Sequence, residues 1–139
     1  MSLERFCRKS IVTVPPHQTV QDAARKMRDH HVGAIVVVEK DRAVGILTDR
    51  DITLRAIAEG RDPKTTPVGE VMSRDLKVLR TDDKIDDALS SIRAAGVRRL
   101  PIVDAAGKPI GMVTLDDLIV LFAGELGAAA GAVKENRGP

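Results

Sequence analysis

The sequence predicts a mixed α/β (α+β) chain made of two β-α-β-β-α units packed together with pseudo-two-fold symmetry. Three observations lead there. The stretch Gly45–Ile52 returns as Gly111–Leu118, each a Gly, a short apolar run, a Thr, and an Asp three residues further on. The residues before it repeat too: an offset of 65 sets Val20 with Ile85, Asp22 with Asp87, Ala23 with Ala88 and Val32 with Val97, and it becomes 66 at Gly45 with Gly111. Finally, short apolar runs rich in β-branched residues alternate with apolar stripes at helical spacing. Self-similarity of this length marks two copies of one supersecondary unit. One copy is too small to bury the face of its own sheet, so two are expected to pack on each other.

Each element has a local reason. Residues 1–10 read as a short helix or an arm. Ile11–Val14 is a short strand stopped by Pro15-Pro16. Val20, Ala23, Ala24 and Met27 form one stripe, so 20–30 is an amphipathic helix with Thr19 as its N-cap and His30-His31 at its end. Val32–Val38 is a continuous apolar run, the kind buried on both faces of a sheet. Glu39–Arg42 turns the chain, Ala43–Leu47 is the next strand, and Thr48–Ala58 the next helix. Gly60–Pro67 is dense in turn residues and reads as the linker.

The second copy follows the same order. Leu76–Leu79 is its first strand. Asp82 and Asp83 cap a helix that carries Ile85, Ala88, Leu89 and Ile92 on one face and ends at Gly96. Leu100–Val103 and Ile110–Val113 flank the turn Asp104–Pro109, and a last helix runs from Asp116. The expected division is a first unit with its N-terminal arm over 1–62, a linker over 63–67, a second unit over 68–123, and a flexible Ala/Gly-rich tail over 124–139.

Composition narrows the function. In 139 residues there are two Phe and neither Trp nor Tyr, so the core is aliphatic and the chain has almost no rings on which to stack bases. Lys and Arg number 22 against 20 Asp and Glu, a balance that leaves no concentrated cationic face for nucleic acid. Met1–Phe6 lacks the apolar core of a signal peptide, and no apolar run approaches the length of a membrane span. The expectation is a cytoplasmic protein with no membrane or nucleic-acid partner. Cys7 is the single cysteine and reads as a small core-edge residue. Together with His17, His30 and His31 it matches no metal-ligand spacing, so no metal is expected. The acidic group Asp82, Asp83, Asp86, Asp87 is explained by the positive end of a helix dipole. No nucleophile–base motif, P-loop or dinucleotide fingerprint occurs, and no catalytic residue is assigned.

The repeated Thr-x-x-Asp admits a plain reading first. At a strand-to-helix junction the Thr hydroxyl or Asp carboxylate accepts from backbone N–H groups that have no partner within the helix, and Asp favours the dipole's positive end. Two copies in matching contexts point beyond capping.

Taken together, the Thr-Val-x-Asp-Ala-Ala start of the first helix, the runs Val32–Val38 and Val97–Val103, and the repeated Gly-apolar-apolar-Thr-x-x-Asp resemble the CBS domain (cystathionine β-synthase domain). Two in tandem are similar to a CBS pair, or Bateman module, over roughly residues 7–122. The resemblance implies a compact module with two clefts between the copies, which in this family often take AMP, ADP, ATP, S-adenosylmethionine or NAD(H). It also implies a disc-like homodimer and no required cofactor. Carried over by residue, one cleft would join Thr48 and Asp51 to Lys77, Val97, Arg98, Arg99 and Pro101. The other would join Thr114 and Asp117 to Val12, Val32, Gly33 and Ala34. Asp51 or Asp117 would accept from the ribose hydroxyls, backbone near Lys77 or Val12 would read the adenine edge, and Val97 or Val32 would cover the base.

Arg98-Arg99 would offer guanidinium forks to phosphate in the first cleft, where the second has Gly33 and Ala34. The first is therefore expected to take a phosphorylated nucleotide, and the second to stay empty or take uncharged adenosine. The competing reading of the Arg pair is a solvated helix-end feature. For the whole chain the expectation is a regulatory sensor acting on a separate effector protein or as a homodimer. The alternative is an interaction homodimer with no nucleotide ligand.

Overall fold

Two three-stranded sheets follow one another along the chain, each with a parallel first pair and an antiparallel second pair. The computed structural model describes Leu3, Cys7 and residues 11–136, so the arm expected over 1–10 otherwise lies outside the described residues. The first repeat holds β1 (Thr13–Val14), α1 (Val20–His30), β2 (Ala34–Glu39), β3 (Arg42–Thr48) and α2 (Asp49–Asp51), which continues as a π-helical segment, Ile52–Ile57. After a 3-10 turn at Val68–Glu70 come β4 (Leu79–Arg80), α3 (Ile85–Ala95), β5 (Arg99–Val103), β6 (Pro109–Thr114) and α4 (Leu115–Asn136). The expected β-α-β-β-α order thus occurs twice. Among the described residues no helix is long and apolar enough to cross a membrane.

The repeats agree down to an irregularity. Val37 faces Gly45 and Val38 faces Ala43, leaving Val44 as an extra residue, while Ile102 faces Gly111 and Val103 faces Pro109, leaving Ile110. A bulge kept at matching positions bends both hairpins alike. The turns between them differ by the one residue that shifts the offset. In the first, Lys40 and Asp41 stand at φ 50° and 61°, the left-handed pair of a two-residue hairpin turn. In the second, Asp104 Oδ1 accepts from the N–H groups of Ala106 and Lys108, and Gly107 takes φ 84°.

Helix α1 shows how the linker is used. Thr19 Oγ1 accepts from Asp22 N at 3.2 Å, and Asp22 Oδ2 accepts from Thr19 N at 3.4 Å, a reciprocal capping box. The amides of Val20 and Gln21, which no helix carbonyl can reach, donate to the carbonyls of Thr66 and Pro63 at 2.9 and 3.0 Å. The stretch expected as a linker is therefore strapped across the start of α1, with Thr66 buried beneath it.

Several expected boundaries move. Val12 still accepts from Val36 N at 3.1 Å, but the β1 ladder itself is only Thr13–Val14. Leu76–Val78 do not form the expected strand. Leu76 N bonds back to Arg74 O at 2.8 Å, and pairing starts at Leu79, which faces Ile102. The N-cap position of α3 is Lys84, not Asp82 or Asp83. Asp87 Oδ2 accepts from Lys84 N at 2.8 Å, and Asp83 Oδ2 accepts from Arg80 N at 2.8 Å one turn earlier. The expected tail also differs, because α4 runs through 124–136 as helix. Ala, Leu, Glu and Lys there are strong helix formers, and extending a helix already anchored at Leu118 needs no new nucleus.

The two cores exchange chain. Val68, Val71 and Met72, which lead into the second repeat, are buried in the first core with Val20, Ile35 and Leu47. Leu3, which precedes the first repeat, is buried in the second core with Leu79, Ile102 and Leu118, and Cys7 packs half-buried at that core's edge. The offset of 65 sets Leu3 with Val68 and Cys7 with Met72, so equivalent residues ahead of each repeat pack into the core of the other. Leu3→Ala should therefore destabilise the second repeat as an interior truncation does, by about 2–5 kcal/mol in urea unfolding; a surface arm would give under about 0.5 kcal/mol. Replacing Lys40-Asp41 by Asn-Gly should raise unfolding stability by about 1 kcal/mol, because those residues tolerate positive φ with less strain.

Candidate functional site

The end of β3 and the start of α2 place the first Thr-x-x-Asp. Thr48 is the last strand residue and the N-cap: its Oγ1 accepts from Asp51 N at 3.1 Å, and Asp51 Oδ2 accepts from Thr48 N at 3.0 Å. The other carboxylate oxygen, Oδ1, is 3.8 Å from Arg55 Nε. Arg55 in turn donates to Val71 O and Ser73 Oγ at 3.1 and 3.3 Å, tying this helix to the borrowed segment. In the second repeat Thr114 Oγ1 accepts from Asp117 N at 3.1 Å. Both motifs do cap their helices, as the plain reading requires.

The same junction opens onto a cleft of about 740 Å³ between the repeats. Thr48 and Asp51 line one side. Lys77, Val97, Arg98, Arg99 and Pro101 line it from the second repeat, so the seven residues named for one cleft meet around it. Sequence reasoning missed Asp49, Arg50, Ser73, Asp75 and Leu76, which also line it. Asp75 stands 3.7 Å from Lys77 Nζ, so the lysine shares its wall with a carboxylate. Asp49 and Arg50 are the two residues inside the Thr-x-x-Asp motif, Ser73 arrives by pairing with Ile46, and Asp75 and Leu76 follow at the bend after Arg74; no spacing signal marks the last three.

The second cleft is smaller, about 250 Å³. Val12, Val32, Gly33, Ala34 and Thr114 line it, as do His31, Met112 and Asp116, while Asp117 is not among its lining residues. Val12 and Val32 also border an adjoining hollow that holds Lys26, whose Nζ donates to Thr13 O at 2.8 Å.

The Arg pair divides. Arg98 Nη2 binds Asp116 Oδ1 at 3.0 Å with both side chains largely in water. Arg99 lines both clefts. Both arginines line the first cleft as expected, and Arg99 reaches the second as well, where only the small Gly33 and Ala34 were expected. Arg98 is engaged by a carboxylate of α4, and Arg99 begins a strand whose neighbour, β6, ends in the second cleft's own Thr114.

Gly45 has a steric role. A Cβ there would stand 2.7 Å from Met72 Sδ and 2.9 Å from Ser73 O, and Ile46 and Ser73 exchange backbone hydrogen bonds of 3.1 and 2.9 Å beside it. The Gly that opens the repeated motif lets the borrowed segment lie against β3, and Ser73 of that segment lines the first cleft.

Comparison with known proteins agrees with this architecture. The family model described as CBS domain matches residues 3–57 and again 68–124. The CBS domain-containing protein YhcV of Bacillus subtilis is 48% identical over 110 residues, 79% of this chain and 77% of that protein. Protein MK0525 of Methanopyrus kandleri is 35% identical over 120 residues, 86% of this chain, and the match spans 61% of the relative's length. A crystal structure of hypoxic response protein I, with two coordinated zinc ions, superposes with a TM-score of 0.78 at 30% identity, covering 86% of this chain and 97% of that one. A relative called hypoxic response protein 1 comes from Mycobacterium tuberculosis. In this chain, no group of three or more His, Cys, Asp or Glu among the described residues is placed to hold a metal ion.

If the caps hold these junctions, Thr48→Ala and Thr114→Ala should each lower stability by about 1 kcal/mol in thermal unfolding, and Thr48→Ser should retain most of it.

Proposed function

The chain belongs to the CBS-domain family, and we propose on that footing that it is a non-catalytic regulatory pair acting in the cytoplasm. It binds an adenine nucleotide or adenosyl ligand between its repeats and answers by changing how it contacts a partner. The observation that supports this reading is the make-up of the first cleft. Its volume of about 740 Å³ suits a nucleotide-sized ligand. Asp51 brings a carboxylate whose Oδ2 is held by the cap and whose Oδ1 is turned toward Arg55, an acceptor for ribose hydroxyls. Val97 and Pro101 offer apolar surface to a base, and Arg99 and Lys77 bring cations for phosphate.

Candidate ligands are AMP, ADP, ATP, S-adenosylmethionine and NAD(H). Both cleft walls come from different repeats, so a ligand spanning them favours one relative placement of the repeats over others, and the population follows that difference in affinity. The receiver is a separate effector protein or a second copy.

One observation favours a second reading. Ile119, Val120, Phe122 and Leu126 of α4 expose apolar side chains, as do Leu54 and Ile57 beside α2. Such surface suits an interface between copies. In that reading the module is an interaction homodimer with no nucleotide ligand.

A thermal-shift screen against the five candidates, with guanosine nucleotides as controls, separates the two. Binding at a hundredfold excess over Kd stabilises the native state by about 2.7 kcal/mol, about 5–10 °C for a chain of this size. The expected result is such a rise with at least one adenine ligand, abolished in Asp51→Ala. No rise with any of them in folded protein would reject nucleotide sensing and leave the interaction dimer.

A further inference from the structure

Arg99 occupies a place that its counterpart in the first repeat cannot fill. It opens β5, half-buried, and its ladder partner is Thr114. The matching residue is Ala34, whose ladder partner is Thr48. The backbone arrangement is therefore the same on both sides, with Asp49 N donating to Gly33 O at 3.0 Å and Leu115 N to Arg98 O at 2.7 Å. Only one side carries a long cation. Its Nη1 lies 3.6 Å from where a Cβ on Gly33 would stand, so the missing side chain of Gly33 leaves the guanidinium room at the second cleft. Pro101 and Val97, two residues to either side, belong to the first.

The surrounding charges decide what such a cation does. Arg98 is paired with Asp116. Among the described residues no carboxylate pairs with Arg99. Asp49 Oδ2 comes within 3.2 Å of that same point over Gly33, and Asp116 lines the second cleft. If the guanidinium turns fully to an anion in the first cleft, the second loses its half-buried cation and keeps Asp116, already paired with Arg98, and Asp49 beside Gly33, so a second anion there finds no free cation among these groups and is held weakly. The converse holds equally, because coupling between two bound ligands is reciprocal.

Resting on the nucleotide-binding reading, we infer that the two clefts compete for Arg99, so that the module holds one phosphorylated ligand tightly and a second only weakly, while uncharged adenosine fills both clefts independently. A guanidinium fork grips one phosphate group well and cannot serve two on opposite sides at once. The chain then reports which cleft holds the anion, and a phosphorylated ligand in one resists a phosphorylated ligand in the other.

The test is calorimetric titration of the full chain with AMP and, separately, with adenosine. The expected result is two AMP affinities at least tenfold apart and two adenosine affinities within about threefold. Arg99→Gln should weaken the tighter AMP site and close the gap, whereas Arg99→Lys should keep it; unchanged melting temperatures would show that both variants fold. Two equal AMP sites in the wild type, a gap that survives Arg99→Gln, or one site for each ligand would overturn the inference and leave nucleotide binding standing. No binding of either AMP or adenosine by folded protein would overturn the inference and the nucleotide reading beneath it.

Discussion

Each sheet in this molecule is finished by chain borrowed from the other repeat, and the rest of the structure depends on that exchange. Val68, Val71 and Met72 close the first core, and Leu3 is buried in the second. A three-stranded sheet and its helices in a unit this small leave apolar surface uncovered, and Val68, Val71 and Met72 in one core and Leu3 in the other supply part of what is missing. The exchange also places the clefts. Running along β3, the borrowed segment brings Ser73 to the first cleft, and the chain then turns at Arg74 to deliver Leu76 and Lys77 to the same wall. The two halves are consequently not separable units joined by a tether. The stretch between them even satisfies helix amides at the start of α1.

The capping residues also line the larger cleft. Thr48 and Asp51 complete the hydrogen bonds of a helix start and stand at the mouth of the larger cleft. A carboxylate already fixed by a backbone amide has lost its rotamer freedom before a ligand arrives, which lowers the entropic cost of using it as an acceptor. Structural and binding roles are thus compatible at one residue. The plain reading of the motif was correct about its hydrogen bonds and incomplete about its surroundings.

The Arg pair shows where adjacency in sequence stops being informative. Both arginines line the first cleft, but their other neighbours differ. Arg98 meets Asp116, a residue 18 positions away, and Arg99 meets the space left by Gly33. Which carboxylate lies near which guanidinium follows from how the repeats are set against each other. No local pattern encodes it.

By itself the sequence determined the element order, the twofold repeat, the cap at Thr19 and the chain position of the one-residue difference between the hairpin turns. Those features follow from interactions among residues close in the chain, where periodicity and cap chemistry act directly. Family resemblance added the grouping of Thr48 and Asp51 with residues near 97–101. Tertiary structure alone decided that Val68 is buried in the first core and Leu3 in the second, that α4 continues as helix beyond 124, that pairing in the second repeat begins at Leu79, and that Arg98 pairs with Asp116 while Arg99 lines both clefts. The physical reason is common to these. Burial of Leu3 or Val68, and the pairing or sharing of a guanidinium, depend on neighbours brought close by packing, and a stretch of sequence carries no record of the surface it will meet.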